Sequence, residues 1–165
     1  MTQRIVIMGV SGCGKSTVGA ALSGAMGIPY RDGDELHPQA NVDKMRAGIP
    51  LTDADRWPWL DRVASVLRDA PPVIAGCSAL RRAYRDRIRS GAGGPVTFIH
   101  LTGSRTLIAS RMRARTGHYM PPTLLDSQFA ALEPPNPDEA LAVDIEQPLQ
   151  AIVTKILAHL NGDAP

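Results

Sequence analysis

Gly9-Val10-Ser11-Gly12-Cys13-Gly14-Lys15-Ser16-Thr17 fits the pattern G-x4-G-K-S, and that pattern solves one chemical problem, holding the polyphosphate of a nucleotide. Glycines let the backbone bend tightly and turn successive N–H groups inward, where they and the start of a following helix bind β- and γ-phosphate oxygens. Lys15 brings a mobile positive charge to the same oxygens. Ser16 can offer its hydroxyl to a Mg²⁺ ion bridging the β- and γ-phosphates, and Thr17 stands where the α-phosphate would lie. These residues predict ATP and Mg²⁺ but not a reaction, since switch GTPases, transport ATPases and small kinases all carry such a loop. No N-K-x-D is present and no D-x-x-G follows a strand, which argues against a guanine-reading switch.

The chemistry has to be decided by what faces the loop. Asp32-Gly33-Asp34 supplies two carboxylates at one turn, and they suit two tasks. Asp32 is assigned to the Mg²⁺ shell together with Ser16, and Asp34 to the proton of an attacking hydroxyl. His37, Lys44 and Arg56 follow in segments that can fold over an acceptor and present charge to a carboxylate or hydroxyls. Ser78 and Arg85 are candidates on the far side of the same pocket, whereas Arg87 and Arg89 are expected to face solvent. Arg111 and Arg115, followed by the bend Gly117-His118-Tyr119-Met120-Pro121-Pro122, are expected to form a lid near 111–122. It would carry both guanidiniums to the transferring phosphate and exclude water, with His118 at the acceptor.

Short apolar runs at Arg4 to Met8, Ile28 to Arg31, Pro72 to Gly76, Val96 to Leu101 and Leu141 to Ile145 must position these groups. They scarcely alternate, which suits strands covered on both faces, and longer helix-like segments separate them. The expectation is an α/β fold with a five-stranded parallel sheet, its ligands gathered at the carboxyl ends of the strands. Thr52 with Asp55 reads as a capping box opening a helix over Asp53 to Asp69, and Gly48 as the stop of the helix before it. Further helices are expected over Ser16 to Met26 and Ser104 to Thr116.

The 165 residues suit one domain, 1–165, with a single active site. A net charge of +2 is too small for a nucleic-acid or membrane-binding surface, even with the five arginines between Arg81 and Arg89. Cys13 and Cys77 belong to no metal-ligand or disulfide pattern, and a reducing cytoplasm fits them. The run from Ile5 to Met8 is too short for a signal-peptide core, so the protein is expected to stay in the cytosol.

GVSGCGKST, RDGDELHP, NVDKMRAGIPLTDADRWPWL, CSALRRAYRDRIR, RMRARTGHYM, the SQF within Asp126 to Phe129, and VDIEQPL occur in that order. Together they resemble the bacterial gluconokinases of the small P-loop type, over almost the whole chain. The resemblance implies a three-layer P-loop kinase fold with strand order 2-3-1-4-5, similar to nucleoside monophosphate and shikimate kinases. It also implies transfer of the ATP γ-phosphate to the C6 hydroxyl of D-gluconate, a homodimer, and a loop near the adenine at Val143 to Leu149. Arg81 and Arg82 stand where the family often has a Lys pair, and Tyr119-Met120 where aromatics or lysines are common. A shikimate or nucleotide kinase is the competing reading, separable by acceptor.

Overall fold

The computed structural model describes residues 3–114 and 122–162. Five strands, β1 (Arg4–Met8), β2 (Tyr30–Asp32), β3 (Val73–Gly76), β4 (Thr97–Thr102) and β5 (Ala140–Asp144), form one sheet in the order β2-β3-β1-β4-β5. Every pairing is parallel, so each link between strands crosses over through helix. The helices are α1 (Lys15–Met26), α2 (Gln39–Arg46), α3 (Asp53–Asp69), α4 (Arg82–Gly91), α5 (Arg105–Ala114), α6 (Pro122–Ala131) and α7 (Leu149–Leu160). This is the doubly wound arrangement and strand order expected of a P-loop kinase.

The unalternating strand sequences have a direct structural counterpart. On β1, Ile5 and Ile7 face a core shared with Val18 and Leu22 of α1 and Ile152 and Ile156 of α7. Val6 and Met8 face the opposite core, built with Trp59, Leu60 and Val63 of α3 and Tyr84 and Ile88 of α4. Both sides of the strand are buried, so both must be apolar.

Local signals explain the helix boundaries. Thr52 and Asp55 make both bonds of the capping box at the start of α3. Gly48, at φ 73°, lies just past the end of α2. Pro58 stands inside α3, in its second turn. α5 is described over Arg105–Ala114, so the expected continuation of that helix falls outside the described residues. Among the described residues no helix is long and apolar enough to cross a membrane.

Candidate active site

β1 ends at Met8 and α1 begins at Lys15, and the six residues between them form the loop. Gly12 has φ 84°, and a Cβ there would come within 2.5 Å of Met112 Cγ. Gly14, the residue preceding α1, has φ 102°, and a Cβ on it would meet nothing within 4 Å. Glycine is thus required at both positions by backbone conformation, and at Gly12 also by the close approach of α5. Among the described residues the N–H groups of Gly12, Gly14, Ser16 and Thr17 donate to no protein acceptor. Lys15 Nζ donates to Gly9 O at 3.0 Å and Val10 O at 3.1 Å, which lays its charge across the mouth. Free N–H groups, a helix N-terminus and an ammonium converge there, so these residues fit a nucleotide's phosphates.

The loop opens into a cleft of about 470 Å³. Gly12 to Gly14 and Thr17 line one side, Ile145 to Leu149 the other, and Arg111 lies between them. Arg111 donates through Nη2 to Ile145 O at 2.7 Å, and Ile145 N–H donates to Thr102 O, so the cleft's distal wall is tied to the end of β4.

Asp32 closes β2, and its Oδ1 accepts the N–H of Asp34 at 2.9 Å, capping the short 3₁₀ turn Gly33–Leu36. Gly33 is required here by close approach, because a Cβ would stand 2.2 Å from Gly76 O. Asp34 is exposed as a residue, yet desolvation of its carboxyl pushes it above the ordinary carboxylate range. Lys15 opposes that shift, and the Asp32 charge adds to it. A carboxylate of raised basicity that feels the loop lysine's charge is suited to take a proton beside a phosphate.

The donors available for Mg²⁺ are oxygens: the exposed hydroxyl of Ser16 in the first turn of α1 and the carboxylate of Asp32. Among the described residues no three carboxylate, thiol or imidazole groups cluster as a self-contained metal site. Tyr30 O–H, lodged where Gly19 and Gly76 leave room for its ring, lies beside Ser16 and Asp32. A few hard donors at a phosphate cradle fit Mg²⁺, which takes most of its ligands from phosphate and water.

The remaining predicted residues divide between cleft and scaffold. His37 stacks on Trp59 with ring centroids 4.2 Å apart, and burial together with Arg56 pushes its imidazole down to about 4, so it is neutral at pH 7. Lys44 pairs with Asp55 Oδ2 at 2.7 Å and holds that carboxyl at about 2. Arg56 donates to Asp53 and Tyr84 and lies over the Tyr84 ring. Ser78 is half-buried, and its carbonyl accepts Gly9 N–H at 3.3 Å, joining the β3 end to the phosphate loop. Arg115 and His118, with most of the proposed lid, lie outside the described residues.

Arg85 is a correction. Only 1 % exposed, it donates to Ala79 O, Glu133 O and Glu139, which leaves its guanidinium no reach to a ligand. Its work is structural: it pins Ala79, a non-glycine residue at φ 46°, next to Ser78. Arg87 does face solvent, paired with Asp61, but Arg89 turns back onto Glu139 and the Phe98 ring. Glu139 was not singled out by sequence reasoning, and Trp59 and Gln128 entered only within the segments RWPWL and SQF, with no role assigned. Trp59 donates to Gly33 O at 2.8 Å and so fixes the Asp32–Asp34 turn, but a tryptophan in an amphipathic helix reads only as core.

Residues 5–135 match the family model described as AAA domain. A gluconokinase of Gluconobacter oxydans is 41% identical over 96% of this chain and 92% of its own length. The thermosensitive gluconokinase of Escherichia coli is 43% identical over 87% of this chain and 79% of its own. The crystal structure of a gluconokinase from Sinorhizobium meliloti superposes with a TM-score of 0.89 at 50% identity, over 96% of this chain and 91% of that one. Shikimate kinase from Aquifex aeolicus, at a TM-score of 0.64 and 20% identity, shares the fold. The phosphate loop, the paired aspartates beyond β2 and these similarities over nearly the whole length agree: the chain belongs to the gluconokinase family.

Proposed function

We propose that this chain is an ATP-dependent gluconokinase, transferring the γ-phosphate of ATP to the C6 hydroxyl of D-gluconate to give 6-phospho-D-gluconate and ADP. The observation that carries the mechanism is Asp34, a carboxylate of raised basicity within the field of Lys15 at one sheet edge. The relatives that are themselves named gluconokinases supply the acceptor.

In the proposed reaction the loop from Gly9 to Thr17 holds the phosphates, and Lys15 neutralises charge on the β- and γ-oxygens. Asp34 accepts the hydroxyl proton as that oxygen bonds to the γ-phosphorus and the bond to the β-phosphate oxygen breaks. Ser16 and Asp32 are the residues that would hold Mg²⁺, which when bound adds charge neutralisation across the β- and γ-phosphates. Lys44 and Arg56 supply positive charge for the gluconate carboxylate, with neutral His37 and Ser78 available to its hydroxyls. Arg111, already lining the cleft, and Arg115 complete the neutralisation of the transferring group. Ile145 to Leu149 forms the wall for the base. One domain spanning 1–165 with a lid near 111–122, a homodimeric assembly and a cytoplasmic location belong to the same proposal.

A coupled ADP-release assay with Mg-ATP tests it, comparing D-gluconate with shikimate, other sugar acids and nucleoside monophosphates at equal concentration. Strong preference for gluconate is expected. Activity confined to another acceptor would keep the kinase fold and reject the acceptor assignment.

A further inference from the structure

Gln128 of α6 grips the phosphate loop from outside the acceptor pocket. Ser11 N–H donates to Gln128 Oε1 at 2.6 Å, and Gln128 Nε2 donates to Ser11 Oγ at 2.9 Å, across a sequence separation of 117 residues. The amide orientation follows from the partners: a backbone N–H can only donate, so the atom facing it is the oxygen.

The helix bearing this side chain is anchored independently of the contact. Leu125, one turn earlier, is 3 % exposed in the core, Phe129 packs against the same core, and Asp126 pairs with Arg105 of α5. The carboxamide is therefore presented from a fixed support. Ser11 is flanked by the groups whose direction matters most. Gly9 and Val10 carry the carbonyls that hold Lys15 Nζ, and Gly12 carries the first of the unpaired N–H groups. The residues lining the cleft toward Ile145–Leu149 include Gly12, Cys13 and Gly14 but not Ser11, so Ser11 lies at the end of the loop away from the base wall. In the proposed reading that is the γ-phosphate end.

We infer that Gln128 is a positioning residue for the γ-phosphate: its two-point hold on Ser11 sets the direction in which Gly12 N–H and Lys15 Nζ meet the transferring group. The inference rests on the nucleotide assignment made above, but not on gluconate as acceptor.

Calorimetric titration of wild type, Gln128→Ala and Gln128→Glu with Mg-ADP and with Mg-β,γ-imido-ATP tests it, alongside Tm. For Gln128→Ala the triphosphate analogue should bind about tenfold more weakly and ADP within about twofold of wild type, the loss of one or two hydrogen bonds felt at the third phosphate only. Tm should be nearly unchanged. Gln128→Glu keeps an acceptor for Ser11 but sets a negative charge against the loop that would hold the γ-phosphate, so its loss should be larger and should shrink as salt is raised. Equal weakening of both nucleotides with a lowered Tm would make Gln128 a general scaffold and overturn the inference, as would unchanged binding of both. Wild type that binds both nucleotides without phosphorylating gluconate would reject the proposed acceptor and leave this test standing; wild type that binds neither would reject both.

Discussion

The residues that carry the chemistry make separable predictions. Lys15→Ala removes the charge lying across the loop's mouth and should lower kcat by about a hundredfold or more, the scale of losing a preorganised transition-state contact. Near-normal kcat in a steady-state assay would contradict its role. Asp34→Asn keeps the shape but cannot take the proton, so kcat should fall about a hundredfold or more with ATP affinity little altered. The pH profile supplies a second check. Asp34 works only when ionised, and its folded pKa lies above the ordinary carboxylate value, so activity should be full above that pKa and lost as pH falls through it. That acid limb should vanish in the residual activity of Asp34→Asn. Lys15 and Asp34 were legible in the sequence because loop, strand end and carboxylate are local patterns. Arg85 was not, because its destination depends on Glu139, 54 positions away, and an arginine one turn into an amphipathic helix looks the same whether it meets a ligand or a buried carboxylate.

Elements were legible where a local signal fixes a boundary. The α3 limits follow from the Thr52 capping box, and the β1 limits from an apolar run ending at a glycine loop. β2 begins at Tyr30, later than its apolar run suggested: Pro29 has no N–H to give to a ladder, and its carbonyl makes the first bond to β3 by accepting Ile74 N–H. α6 was marked only by its SQF, since its apolar residues show little helical concentration on one face. Its role appears only when α6 is packed beside the phosphate loop. The Cys77 to Arg81 connection shows how elements support the site without touching a ligand. Arg85 holds Ala79 O, Glu133 holds Leu80 O and Arg82 N–H, and Ser78 O holds Gly9 N–H. Removing Arg85 leaves buried Glu139 with Arg89 as its remaining partner and takes the donors from Ala79 O and Glu133 O, so Arg85→Ala should cost about 3 kcal/mol and lower Tm by roughly 10 °C. The KM for gluconate, measured well below Tm, should stay within about threefold of wild type, because no ligand contact is lost. A large KM increase with unchanged Tm would restore Arg85 to the acceptor pocket.

Over the whole molecule, the doubly wound parallel sheet was legible because both-face burial shows in strand composition, whereas its strand order was implied only by the family resemblance and the lid expected near 111–122 falls largely outside the described residues. Acid stability is a property of the assembled layers. His37 and His100 are both pushed down to about 4 in the fold, His100 by burial and the neighbouring Arg85, against an ordinary value of 6.5. The unfolded chain therefore binds more protons between these values, and stability should be full above about pH 6.5 and fall continuously toward pH 4. Glu139 acts in the same direction. Although desolvation raises it, bonds from Arg85 and Arg89 hold it below its usual value, so protonation on unfolding weakens the fold further. Asp34, raised in the fold, opposes the trend, and His37, His100 and Glu139 outnumber it. Tm measured from pH 7.5 to 4.5 should fall, and His100→Gln should flatten the slope; a constant or rising Tm would contradict this account. The central claim is that phosphate moves from ATP to the terminal hydroxyl of gluconate, and the most direct test is ³¹P NMR of the wild-type reaction with Mg-ATP and D-gluconate. The account predicts ADP together with a phosphomonoester coupled to the two C6 protons of gluconate; ADP with inorganic phosphate alone, or unconsumed ATP, would contradict it.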